Sequence, residues 1–141
     1  MRLTIALSLS LLFCAAAPRL TAAAPKPSKV DFYVVAHEDD WQLFMGDQAY
    51  ADIRAGHKVV FVYASAGDAN LGTEYWQTRE SAANASAQFV IDLPSAAVVG
   101  KGTSECSARQ VGGHPLRRCV YGNTVSYFMR LPDGNIDGNG F

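Results

Sequence analysis

One imidazole and three carboxylates stand side by side in His37-Glu38-Asp39-Asp40, directly after the apolar run Val30 to Ala36. Such groups cannot all ionise cheaply in one place unless a cation is present. A divalent metal resolves the repulsion, and a mixed imidazole and carboxylate set suits zinc in a hydrolytic role. In a strand-to-helix turn His37 and Asp40, three apart, can converge on one ion. Asp39 then points elsewhere, free to take a proton from water whose pKa zinc brings to about 7. Helix capping is the competing reading, because Asp39 and Asp40 also suit the positive end of a helix starting near Trp41. Spacing alone leaves both open, although capping accounts for neither His37 nor the triple acid. A second polar group, Ser65, Gly67 and Asp68, follows the apolar run Lys58 to Ala64.

These groups need a scaffold that delivers them together. Val30 to Ala36 and Lys58 to Ala64 are nearly continuous β-branched and aromatic runs, which predicts buried strands. Trp41 to Ala55 repeats apolar residues at roughly helical intervals and ends before Gly56, a C-capping residue. Ser65 to Tyr75 is rich in turn residues, and Trp76 to Val90 is Ala-rich without Gly or Pro, so a loop and a second helix are expected. Ala96 to Val99 reads as a third strand. The alternation predicts an α/β fold, a parallel sheet with right-handed crossovers and helices on its faces. In such sheets functional groups collect at the carboxyl ends of the strands. From Gly100 the composition shifts to Gly, Ser, Cys, Arg and Pro, and Leu131 to Phe141 is almost all turn chemistry.

The 141 residues carry 12 basic and 13 acidic side chains, a net charge of −1, and are 49% hydrophobic. That suits one globular domain and offers no basic field for nucleic acid. One strongly apolar stretch, Leu3 to Ala17 behind Arg2, is shorter than the ~20 residues of a membrane span. With small residues following it, residues 1–24 read as a secretory signal, placing residues 25–141 outside the cell or in a periplasm with no stable membrane span. In that oxidising setting Cys106 and Cys119 could pair.

Val34-Val35-Ala36-His37-Glu38-Asp39-Asp40 resembles the Ala-His-Pro-Asp-Asp signature of the PIG-L/LmbE family of zinc-dependent N-acetylglucosamine deacetylases. The resemblance continues through Ala55-Gly56-His57-Lys58-Val59-Val60, Ala66-Gly67-Asp68, Thr78-Arg79-Glu80 and Leu131-Pro-Asp-Gly-Asn. It implies a Rossmann-like α/β sheet, a zinc ion (or another divalent metal) on His37 and Asp40, and Asp39 as general base. Arg79 then faces the substrate pocket, and Asp68, just past the second strand, is read with it as substrate-binding. The implied reaction is hydrolysis of an N-acetyl amide on a small sugar or glycoconjugate. Glu38 stands where the family has Pro, and Trp41 where it has a further acid. The family also draws a zinc-binding His from a His-x-x-His-like segment nearer its C-terminus. The chain to Phe141 has none, so residues 25–141 read as the N-terminal part of a longer deacetylase domain.

Of the other histidines, His57 falls at the far end of the sheet and reads as structural, and His114 as a loop residue. Phe32, Tyr33, Phe44, Phe61 and Tyr63 read as core packing. Trp41 and Trp76 suit either the core or a sugar-stacking wall. Three functions stay open: a zinc amidohydrolase, a non-catalytic carbohydrate- or metal-binding remnant of the same fold, and another metal hydrolase such as a phosphoesterase.

Overall fold

The computed structural model describes residues 29–94 and 102–133. The secretory signal and the strand expected at Ala96 to Val99 lie outside the described residues, as does the tail after Asp133. The elements run β1 (Val30–Val35), α1 (Asp40–Phe44), α2 (Gly46–Arg54), β2 (Lys58–Ser65), α3 (Thr73–Asp92), β3 (Glu105–Val111), β4 (His114–Tyr121) and β5 (Thr124–Leu131).

One five-stranded sheet has the order β1-β2-β5-β4-β3. β1, β2 and β5 are mutually parallel, whereas β4 and β3 run antiparallel to their neighbours. The fold is α/β as expected, but the sheet is mixed and not wholly parallel. The difference comes from the Gly- and Arg-rich segment read as loop, which forms two tight hairpins. Gly112 and Gly113, with φ of 57° and 84°, join Val111 to its partner His114. Gly122, with φ 54°, and Asn123 join Tyr121 to its partner Thr124. Two-residue hairpins need positive φ to match the strand twist, and glycine supplies it without a Cβ clash. Cys106 and Cys119 lie directly opposite across β3 and β4 and form a disulfide.

The described helices pack on one sheet face. Tyr33 and Val35 of β1, Val59, Phe61 and Tyr63 of β2, and Phe128 of β5 meet Trp41, Ala49, Ile53, Ala83, Ala87 and Ile91 in a single core. Trp41 stacks on Phe61 at 4.6 Å between ring centroids and donates its indole N–H to the Tyr63 hydroxyl (2.9 Å), which places it inside the core. β2 is buried because it has strands on both sides. Among the described residues β1 is an edge strand, and Phe32 and Val34 on its other face are each 67% exposed, so the expected burial holds for one face only.

The single helix expected from Trp41 to Ala55 is broken at Met45, whose φ of −135° leaves the helical region just before Gly46. α2 ends where expected. Gly56 (φ 78°) bonds its N–H to the Ile53 carbonyl, and His57 bonds its N–H to the Asp52 carbonyl, the paired closure of a Schellman motif. β5 carries an extra residue near its end: Tyr63 pairs with Phe128 but Ser65 with Leu131, and Arg130 in the bulge has φ 57°.

Candidate functional site

Three parallel strands end at the same sheet edge, so the segments after β1, β2 and β5 meet there. His37 follows β1, Ser65 to Asp68 close β2, and Asp133 follows β5. The His37 backbone N–H donates to Asp40 Oδ2 (2.9 Å), and the ring Nδ1 lies 3.8 Å from that same oxygen. The other ring nitrogen, Nε2, lies 2.8 Å from Asp133 Oδ1. An ionised carboxylate only accepts, so Nε2 is the nitrogen that donates to Asp133. In the tautomer that leaves Nδ1 unprotonated, His37 Nδ1 and Asp40 Oδ2 are the two atoms here that could hold a cation between them. Asp133 fixes the orientation of the His37 ring from the side opposite Asp40.

Asp39 occupies the N-cap position of α1 but makes no side-chain cap bond. Its Oδ1 instead accepts from Arg79 Nη2 on α3 (3.0 Å). Arg79 Nε donates to Glu38 Oε2, also at 3.0 Å, so one guanidinium ties two successive acids. Glu38 is buried, and that burial raises its carboxyl pKa against the opposing pull of Arg79. Gly67 packs against this pair: with φ +55°, a Cβ there would stand 2.6 Å from Glu38 Oε2 and 3.0 Å from Arg79 Nε. Asp39, Arg79, Glu38, Gln42, Leu43 and Ser86 wall a cleft of about 360 Å³.

The residues singled out in the sequence thus divide. His37 stands between Asp40 and Asp133, and Arg79 ties Asp39 to Glu38. Asp68 is 2% exposed, and its Oδ1 has no hydrogen-bond partner among the described residues. Trp76 is capped by the Arg130 guanidinium at 4.5 Å from its ring centroid. Asp133 and the anchoring role of Glu38 are the contributions that sequence reasoning missed. The Leu131-Pro-Asp segment was visible, but nothing local tied it to a histidine 96 residues earlier.

Among the described residues, the group of three donors that converge closely enough to hold a metal ion lies elsewhere. Asp31, Asp52 and His57 bring one ligand atom each within 4.8 Å of one another, at the amino end of β1. Tyr33 donates its hydroxyl to Asp52 Oδ2 (2.6 Å), and this bond holds the Asp52 carboxyl below the usual carboxylate range. His57, expected to be structural and remote from the His37 edge, is indeed at the opposite end of the sheet.

No protein-family model matches the chain, and no match was found among curated proteins or solved structures. No described helix is long and apolar enough to cross a membrane.

Proposed function

We propose that the protein is an exported zinc-dependent hydrolase that removes an N-acetyl group from an N-acetylglucosamine-type sugar or glycoconjugate. On this reading its mixed sheet is a variant of the Rossmann-like PIG-L/LmbE fold. The observation that carries the proposal is the His37 imidazole, oriented by Asp133 at 2.8 Å and turned toward Asp40, which directly follows an exposed Asp39. The motif resemblance supplies the reaction class.

His37 and Asp40 would hold the zinc ion, which would supply Lewis acidity toward the amide carbonyl and toward water. Asp39 takes the water proton on Oδ2, because Oδ1 is committed to Arg79. Arg79 holds that carboxylate in place and offers its remaining N–H groups to sugar hydroxyls in the cleft. Glu38 anchors Arg79 from the buried side. Asp133 keeps the His37 tautomer that leaves Nδ1 unprotonated.

Purified protein is expected to bind zinc through His37 and to release acetate from N-acetylglucosamine derivatives. Asp39→Asn is expected to keep the metal and lose turnover, and His37→Ala to lose both. Full activity in Asp39→Asn would refute the base assignment. Zinc bound through His37 without acetate release would favour the non-catalytic remnant, and phosphate release from phosphate esters would favour a phosphoesterase.

A further inference from the structure

We infer that Asp31, Asp52 and His57 form a divalent-cation site of their own, which fastens the start of β1 to α2 and to the turn entering β2. This does not depend on the hydrolase reading.

The geometry is convergent. His57 Nδ1 lies 2.7 Å from Asp31 Oδ2 and 3.4 Å from Asp52 Oδ1. A ring nitrogen carries at most one proton, which serves Asp31 well and leaves Asp52 at the limit of hydrogen bonding. One small cation serves all three donors at once. The charges point the same way, since two carboxylates meet here and Lys29 is the cation placed beside them. Lys29 Nζ contacts Asp31 Oδ1 at 3.0 Å, away from the shared centre, and its side chain is 56% exposed, so it can swing out.

The surrounding groups are those that metal-binding carboxylates require. Tyr33 bonds Asp52 Oδ2 at 2.6 Å and Gln48 bonds Oδ1 at 3.1 Å, fixing the rotamer that turns Asp52 toward His57. The Schellman closure at Gly56 fixes His57 itself. Asp52 is buried but Asp31 and His57 keep some exposure, so three protein ligands leave room for water as a further ligand. One imidazole with two carboxylates suits zinc, cobalt(II) or manganese(II), whereas calcium takes oxygen donors and copper(I) prefers sulfur. Asp31 stands six residues before His37, roughly 20 Å along an extended strand, so the two places cannot share an ion.

The test is titration of the full-length chain carrying His37→Ala with cobalt(II) and zinc alone, followed by calorimetry and visible absorption. One equivalent is expected to bind, with a cobalt spectrum showing nitrogen and oxygen ligands. Adding Asp31→Asn or His57→Gln is expected to abolish that equivalent. Tyr33→Phe is expected to weaken it about tenfold, as loss of an outer hydrogen bond usually does. Lys29→Ala, a surface change that leaves folding intact, is expected to tighten it up to about fivefold, the strength of a competing exposed ion pair. Absence of any equivalent in His37→Ala would overturn the inference, as would binding unchanged by Asp31→Asn or weakened by Lys29→Ala. Failure of acetate release alone bears only on the hydrolase.

Discussion

Glu80 is the most consequential single carboxylate for the architecture behind the site. It is 1% exposed, yet it receives Arg130 Nε on Oε1 (2.7 Å), Arg130 Nη2 on Oε2 (2.9 Å) and Arg117 Nη1 on Oε2 (3.0 Å). One residue of α3 therefore clamps β4 and β5 together, and it does so at the bulge where Arg130 takes φ 57°. Removing one member of a buried ion pair costs about 3–5 kcal/mol. The arginine side chains are 32% and 35% exposed and can turn toward water, which lowers that cost. Glu80→Ala is thus expected to destabilise the fold by about 3 kcal/mol, and Glu80→Gln by about half as much because one acceptor survives. Urea unfolding of the single variants and the double-mutant cycles measures it. Coupling of Glu80 to Arg130, which makes two bonds, should be about twice its coupling to Arg117, which makes one. A cost below about 0.5 kcal/mol, or equal couplings, would show that the clamp is solvated and would refute the reasoning.

Two further outcomes follow from the same geometry. Gly67→Ala forces a Cβ to 2.6 Å from Glu38 Oε2 at positive φ, so a loss of about 2 kcal/mol or more is expected in chemical unfolding; a neutral result would mean that the Glu38–Arg79 pair yields freely. The Lys58 ammonium is pushed to a lower pKa by burial and then by the charge of Arg118. The folded chain therefore binds that proton more weakly than the unfolded one, and stability rises as pH climbs through the folded pKa, levelling off above about 10.4. Lys58→Met should be more stable than the parent at neutral pH, with the difference closing toward about pH 11 in urea midpoints. A constant difference would contradict the assignment.

Legibility in the sequence followed the range of the interactions involved. β1, β2, α3 and the end of α2 were readable because each rests on a local pattern, an apolar run, an unbroken Ala-rich stretch or a capping glycine. The proximity of His37 and Asp40 was readable for the same reason, since three residues of one turn set it. β3, β4 and β5 were not read, although Gly112-Gly113 and Gly122-Asn123 are hairpin dipeptides. The many polar residues of β3 masked its strand character, because the whole of that edge strand is exposed and no inward face had to be apolar. Asp133 on His37, Arg79 on Glu38 and His57 between Asp31 and Asp52 are long-range pairings that only the topology brings about. The capping role offered for Asp39 failed for a related reason: a tertiary guanidinium outcompeted the local backbone for its oxygen.

The last of the described strands, β5, lies in the middle of the described sheet. Until the ribosome has passed residue 133, β2 lacks β5 on one edge, Tyr63 lacks the Phe128 ring that stacks on it at 4.8 Å, or His37 has no Asp133 to face. The nascent chain therefore cannot lock in its front half early, and assembly of the sheet and of the His37–Asp133 contact becomes one late, cooperative event.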